Sequence, residues 1–368
     1  MSQRTRPPFR ADQVGSLLRS APVKQARTQR LAREISPMDL EAVEDAEIRK
    51  LVAQQESIGL QAVTDGEFRR SWWHYDFLSR LDGVELVSVA QGLQFKGTQT
   101  KAEGLHVHGK IDFSPTHPML GHFRFLKSVA RATPKMTIPS PTALHFRGGR
   151  QAIERSVYPE MEPFFADLGK AYAKAVRAFG EAGCTYLQLD EVFVAYLCDD
   201  NQRQMLRDRG EDPDRLLHVY ADLVNAACAG RTPGMTISMH LCRGNFRSTW
   251  MAQGGYERVA DILFNGMNVD AYFMEYDTER AGGFEPLRLL PRDKLAVLGV
   301  MTSKTGALES KDQLKRRLDE AAKYVPLEQL CLSPQCGFAS TEEGNLLAEE
   351  EQWAKLVRCV EVAKEVWA

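Results

Sequence analysis

The sequence predicts an α/β fold, a (β/α)8 TIM barrel with an insertion after strand 2. Two observations lead there: apolar runs rich in β-branched residues recur along all 368 residues, and long amphipathic stretches separate most of them. Eight such runs fit a closed barrel better than an open doubly wound sheet, and a barrel with an insertion accommodates residues 1–368 as one domain.

The candidate strands lie at about 10–18, 61–67, 135–141, 185–191, 235–242, 271–277, 295–301 and 329–336. The helices between them carry start and stop signals. Ser36, followed by Pro37 and Asp39, is a helix cap with proline at the first helical position, and Gly59 ends the same periodic run. Ser310, with Gln313 three residues on, opens another helix that ends near Tyr324. Residues from about 72 to 134 exceed a normal loop and are expected to form the insertion, with short alternating strands around His106, Val107, His108 and Gly109. It begins at the C-terminal end of a barrel strand, the face on which barrel enzymes build their sites. Trp72, Trp73, His74 and Tyr75 therefore form either part of a lid or the glue between insertion and barrel.

Composition excludes several classes. Charged residues make up 26% of the chain and the formal net charge is −2, so nothing biases the surface towards nucleic acid. No segment approaches the length of a membrane span, and the start Met1-Ser2-Gln3-Arg4-Thr5-Arg6-Pro7-Pro8 has no apolar run behind its basic residues. No membrane partner and a cytoplasmic location are expected. Seven cysteines, odd in number and unevenly spaced, make no disulfide framework. Cys184, Cys198, Cys228, Cys331 and Cys359 sit in apolar or helical settings and receive no role. Cys242 and Cys336 differ, because each ends an apolar run and meets polar or glycine residues at once.

The chemistry begins at Ser238-Met239-His240-Leu241-Cys242-Arg243. Side chains alternate along a strand, so His240 and Cys242 project to one side, about 6–7 Å apart along the strand, within reach of one ion. Alone, such a pair is better explained by packing. Two more strand ends carry ligand-type residues, Glu275 in Phe273-Met274-Glu275 and Cys336 in Pro334-Gln335-Cys336-Gly337. Neighbouring strand ends of a barrel converge on one space, so His240, Cys242, Glu275 and Cys336 could surround one zinc, with the hard carboxylate as the labile ligand. Zinc with two thiolates is a modest Lewis acid for hydrolysis but can hold an incoming thiol deprotonated, which leads to alkylation of sulfur. Gly15-Ser16, Asp65-Gly66-Glu67 and Asp190-Glu191 complete the rim, and their carboxylates suit a substrate ammonium, hence a zwitterionic amino acid. The competing structural reading has some of these acids capping helices or pairing with Arg69, Arg70 or Arg243.

Taken in order, Val14-Gly15-Ser16, Asp65-Gly66-Glu67-Phe68, Gln188-Leu189-Asp190-Glu191, His240-Leu241-Cys242, Glu275 and Pro334-Gln335-Cys336-Gly337 resemble the catalytic C-terminal barrel of cobalamin-independent methionine synthase, above all its short single-barrel relatives. The resemblance implies that His240, Cys242, Glu275 and Cys336 bind zinc, and that Ser16, Glu67 and Asp190 hold the amino acid part of homocysteine. It implies a zinc-dependent S-methyltransferase of methionine biosynthesis, like 5-methyltetrahydropteroyltriglutamate–homocysteine methyltransferase. The donor side departs from the family. The tryptophan that stacks on the pterin after strand three is replaced by the segment Ile138-Pro139-Ser140-Pro141-Thr142, and Lys304 matches the histidine proposed as the acid for the leaving group. Lys304 is thus a candidate catalytic acid, although an ordinary solvated lysine is the expectation. At 368 residues the sequence is too short to contain the folate-assisting N-terminal barrel as well, so folate is expected to be a poor methyl donor and a small activated donor or a separate donor protein a better one. Two alternatives stay open: a zinc enzyme acting on another thiol or alkyl donor, as coenzyme M alkyltransferases do, and a non-catalytic zinc-binding barrel.

Overall fold

The computed structural model describes residues 4–95 and 97–367; Met1, Ser2 and Gln3, which open the segment read for an apolar run, lie outside them. After β1 (Ala62–Val63) come four strands of the insertion: β2 (Asp82–Ser88), β3 (Gln94–Phe95), β4 (Thr98–Gln99) and β5 (Glu103–Asp112). β2 pairs antiparallel with β5 and β3 with β4. The chain then returns to the main sheet as β6 (Thr133–Pro139), β7 (Tyr186–Glu191), β8 (Thr236–Leu241), β9 (Ala271–Glu275), β10 (Leu295–Met301) and β11 (Leu330–Pro334). With β1 they form a parallel sheet in the order β1-β6-β7-β8-β9-β10-β11.

The eighth stave differs from the expected strand at 10–18. Its one backbone bridge joins Ala11 to Leu332 of β11, through Leu332 N–H to Arg10 O (2.8 Å) and Asp12 N–H to Leu332 O (3.0 Å). Beyond it the Asp12 carboxylate accepts from Phe9 N–H (3.1 Å) and Gln13 N–H (2.8 Å), which turns the chain out of an extended ladder. Side chains then replace the ladder towards β1. Thr64 Oγ1 donates to Gly15 O at 2.6 Å, and Leu17 N–H reaches Gly66 O at 3.1 Å. The second predicted strand is likewise shorter, because Asp65 Oδ1 accepts from Glu67 N–H (2.9 Å) in a turn that puts Glu67 at φ 59°.

Strand alternation sorts the side chains. Phe9, Val14, Ala62, Tyr186, Phe273, Val297 and Cys331 make one apolar cluster inside the barrel, whereas Leu187, Leu189, Ile237 and Met239 pack outwards with the helices. The two predicted helix starts form with capping boxes, Ser36 with Asp39 on Pro37–Ser57 and Ser310 with Gln313 on Lys311–Ala321. The stretch expected to form the insertion ends in a helix, Pro118–Val129, which packs on β6 and the helices Pro37–Ser57 and Met161–Glu181 as an ordinary crossover helix does. Its apolar positions Met119, Leu120, Phe123 and Leu126 follow helical spacing. No helix among the described residues is long and apolar enough to cross a membrane.

An ion pair sits at the closure. Lys135 Nζ, on β6, is 3.1 Å from Asp12 Oδ1 with both side chains fully buried, and it also donates to Gln13 O at 2.5 Å. Tyr186 OH donates to the second Asp12 oxygen at 2.9 Å, and the Phe273 ring lies 3.9 Å from the ammonium. Lys135→Met leaves a buried carboxylate without its cation, so we expect the unfolding free energy to fall by about 3–5 kcal/mol. Urea unfolding would measure it, and a loss below about 1 kcal/mol would show that the pair is not what closes the barrel.

Two buried histidines set an acid limit. Burial holds His117 down at about 4 and His145 at about 3. Both are neutral in the folded chain at pH 5, while the unfolded chain has protonated most of its own near 6.5, so folding refuses protons that unfolding accepts. Their contribution is therefore complete above about pH 6.5 and is lost as pH falls towards 4. His145→Gln should flatten the decline in urea midpoint between pH 6.5 and 4.5; an unchanged slope contradicts the assignment.

Candidate metal centre

Two loops at the C-terminal rim of the sheet supply the centre. β8 delivers His240 and, one residue past its end, Cys242; Cys336 follows β11 by two residues. The imidazole nitrogen and two sulfurs lie within 4.8 Å of one another, all buried, with the sulfurs 3.5 Å apart. Neither ring nitrogen of His240 has a hydrogen-bond partner in the protein, although the side chain is buried. A buried imidazole without a partner is costly, and one nitrogen beside two sulfurs is a donor set that suits a borderline-soft metal ion. The hydrogen bond from Cys242 holds Cys336 well below the ordinary thiol range, with the His240 and Lys304 charges adding to it, and the same contact raises Cys242 well above. The direction of that shift favours the thiolate form at Cys336, the form a metal takes.

Glu275 stands beside these three but outside the cluster. Its oxygens are taken by the guanidinium of Arg280 and by Arg243 N–H at 3.0 Å, and Lys304 Nζ is 3.9 Å away. Burial alone would raise this carboxyl, but Lys304, Arg280 and Arg243 together hold it down at about 2. Lys304 is not the solvated lysine expected: its side chain is 7% exposed and its ammonium has no hydrogen-bond partner. Arg280 follows β9 by five residues on a 3-10 turn, Glu279–Ala281, a placement with no periodic signal in the sequence.

Next to the ligands lies a corner rich in hydrogen-bond acceptors. In the β7–β8 register Asp190 faces His240 across the ladder, and Gln188 faces Ser238. Gln188 Nε2 donates to Asp190 Oδ1 at 2.7 Å and to Val14 O at 2.6 Å, which leaves its own Oε1 buried without a donor. Glu67 accepts from Thr137 Oγ1 at 2.9 Å and lies 3.6 Å from Arg70, yet its Oε2 is also without a donor. Burial, then the neighbouring Glu67, pushes Asp190 up to about 7. Ser16 enters the same pocket because position 337 is glycine, where a Cβ would come within 1.9 Å of Ser16 Oγ.

Other acids turn out to be structural. Glu191 caps the turn Phe193–Tyr196, accepting from Phe193 N–H (2.7 Å) and Val194 N–H (2.9 Å), and Asp65 serves its own turn. Arg69 pairs with Glu44 at 3.3 Å and with Asp45, away from the rim.

Trp72 both lines the pocket and glues the insertion to the barrel. It stacks on Tyr75 (5.1 Å) and Phe246 (6.1 Å) and bridges to Thr341, while it and Trp73 line the pocket. Sequence reasoning missed Asn245, whose Nδ2 donates to Gly337 O at 2.8 Å and so ties the Cys242 loop to the Cys336 loop. Its place three residues after Cys242 was the one local signal. It also missed Arg147, Tyr196 and Phe246, which line the pocket from segments with no metal or acid motif.

The arrangement predicts unequal metal losses. Cys336→Ser should lower bound divalent metal by tenfold or more under limiting metal, and Glu275→Gln by a clearly smaller factor. Metal analysis after gel filtration would check this, and equal losses would place Glu275 among the primary ligands.

Comparison with known proteins identifies the family of the chain. The family described as "Cobalamin-independent synthase, Catalytic domain" matches residues 9–365. The uncharacterized protein YxjG of Bacillus subtilis (strain 168) is 54% identical over 368 residues, covering 99% of this chain and 96% of that one. A crystal structure from Listeria monocytogenes, described as a putative vitamin-B12 independent methionine synthase, is 41% identical with a TM-score of 0.81, covering 99% of this chain and 100% of that one. The 5-methyltetrahydropteroyltriglutamate–homocysteine methyltransferase of Bacillus velezensis is 24% identical over 354 residues, 96% of this chain but 42% of that protein. With a match across nearly its whole length and a barrel that superposes on a family structure, the chain belongs to the cobalamin-independent methionine synthase catalytic-domain family.

Proposed function

We propose that the protein transfers a methyl group to the thiol of homocysteine, forming methionine, at a zinc ion held by His240, Cys242 and Cys336. The observation that carries this reading is the pairing of an N/S2 cluster with an acceptor-rich corner one strand away. When bound, zinc would keep the substrate thiol deprotonated at neutral pH, where a free thiol of pKa near 8.5 is mostly protonated.

The protein's own groups do the rest. Glu67 Oε2 and Gln188 Oε1 are buried acceptors without donors and Asp190 accepts from the Gln188 amide, and an α-ammonium supplies donors and positive charge together. Ser16 stands at the same pocket for the carboxylate end. Glu275 is the fourth, exchangeable ligand: its ion pairs with Arg280 and Lys304 make it a weak competitor for the metal against a thiolate. Lys304 does not line the pocket, so we assign it to this charge balance instead of to proton delivery at the leaving group.

Cobalt-substituted protein titrated with homocysteine tests the thiol step without any donor. A new sulfur-to-metal charge-transfer band is expected. Asp190→Asn should raise the homocysteine dissociation constant about tenfold, equivalent to about 1.4 kcal/mol, and change that of 4-mercaptobutyrate, which lacks the amino group, less than about twofold. Equal losses for the two thiols would remove Asp190 from substrate binding, and no band with either thiol would remove the thiol-activation reading itself.

A further inference from the structure

The pocket contains a cation that neither the metal cluster nor the amino acid corner uses. Arg147 follows β6 and the short helix Ala143–Phe146 and lines the pocket that holds His240, Cys242 and Cys336. Among the described residues no carboxylate lies within ion-pair distance of it, and its Nε is buried without a hydrogen-bond partner. The Tyr196 hydroxyl, on the same pocket and fully buried, lies beside the Arg147 guanidinium and has no other partner. The position is built: Arg209 donates to Phe146 O (2.8 Å) and Arg147 O (3.3 Å), and the guanidinium rests over the Phe193 ring at 5.3 Å. A fixed guanidinium and a phenol with free donors, facing a ligand pocket, fit a carboxylate.

The remaining wall is aromatic. Trp72 is 3% exposed and stacked against Tyr75 and Phe246, so its ring offers no broad free face, whereas Trp73 is half-buried and keeps ring surface towards the pocket. Proton supply narrows the choice further. Asp190 and Glu67 serve the amino acid corner, and His240 and the two cysteines serve the metal. Arg147 and Tyr196 are left, and burial pushes the Tyr196 hydroxyl further above its ordinary range. A leaving group that must be protonated finds no acid there. One that departs neutral needs none.

Building on the methyl-transfer reading, we propose that this wall is the methyl-donor subsite and that the donor is a small carboxylate bearing a methylated sulfonium or quaternary ammonium centre. The Arg147 guanidinium with Tyr196 OH takes the carboxylate, and Trp73 packs against the onium methyl groups. The substrate sulfur's electron pair forms the new S–CH3 bond as the donor's S–CH3 bond breaks. The electron pair of that bond stays on the donor sulfur, which leaves as a neutral thioether; the thiol proton has already gone to solvent.

Zinc-loaded protein with homocysteine is incubated with CD3-labelled dimethylsulfoniopropionate, trimethylsulfonium or methyltetrahydropteroyl triglutamate, and labelled methionine is followed by mass spectrometry. Calorimetry measures dimethylsulfoniopropionate binding independently of turnover. We expect dimethylsulfoniopropionate to bind and to transfer its methyl group faster than the folate. Arg147→Met should raise its KM and Kd tenfold or more with kcat changed less than about threefold, and should raise the KM of trimethylsulfonium, which has no carboxylate, by a much smaller factor. Arg147→Lys should recover part of the loss, and metal content reports that the variants are folded. Equal losses for both sulfonium compounds, or methionine from the folate but not from dimethylsulfoniopropionate, would overturn the proposal. Loss of homocysteine binding in the cobalt titration strikes the thiol reading instead, so the two failures are distinguishable.

Discussion

The Asp12–Lys135 pair is the constraint on which the rest depends, because it holds together a barrel whose eighth stave is not a full strand. A segment with one backbone bridge cannot close a sheet by ladder bonds. Asp12 solves this by binding in three directions: to Lys135 on β6, to Tyr186 on β7 and to the backbone of its own turn. The cost of burying two charges is recovered only because each finds further partners, Gln13 O and the Phe273 ring for the ammonium and Tyr186 OH for the carboxylate. Four residues further on, Ser16 is delivered to the rim. Its backbone accepts from Phe338 N–H at 2.9 Å, immediately beyond Cys336 and Gly337, so the closure and the metal loop share one contact.

At the rim the governing quantity is charge. Glu67, Asp190 and Glu275 are all buried, and three carboxylates with two sulfurs in one cleft would repel without cations. The fold divides the load. Glu67 has Arg70, and Glu275 has Arg280 and Lys304, but Asp190 has only the amide of Gln188. Asp190 is therefore the rim acid without an ion pair, and its rise to about 7, from burial and then from Glu67, expresses the same imbalance.

How much of this was legible in the sequence follows from how local each signal is. His240 and Cys242 were readable because a strand repeats every two residues, and Cys336 because a β-run ended at once in Gly337. Glu275 was found for the same reason, but its partner was not: Arg280 folds back from a 3-10 turn, and nothing periodic links the two. The strand at 10–18 failed where side-chain bonds from Asp12 and Thr64 replaced the ladder, which apolar pattern does not register. Pro118–Val129 was hidden by the strands before it, although its apolar spacing is helical. The surroundings of Lys304 and Arg147 were not legible for a further reason. Whether a cation is solvated or buried in a pocket is decided by the packing of distant segments, and neither residue carries that in its neighbours.

The centre joins parts of the barrel that the sheet keeps apart. β8 and β11 are separated by β9 and β10 in the ladder, so no strand hydrogen bond links the His240–Cys242 loop to the Cys336 loop. What joins them is the contact between sulfurs at 3.5 Å and the Asn245 amide on Gly337 O at 2.8 Å. An ion held by all three ligands would add a strap across the mouth, and because it binds only when the two loops meet, its binding energy would count as folding energy. At a free ion concentration a hundredfold above the dissociation constant that is worth about 2.7 kcal/mol. The strap would act on the loops that also carry Ser16's contact with Phe338 and the wall with Phe246, so it would order the substrate pocket as it stabilised the barrel. A metal site built from two distant strand ends would thus be a structural clamp as well as a place for chemistry, with one set of ligands serving both ends.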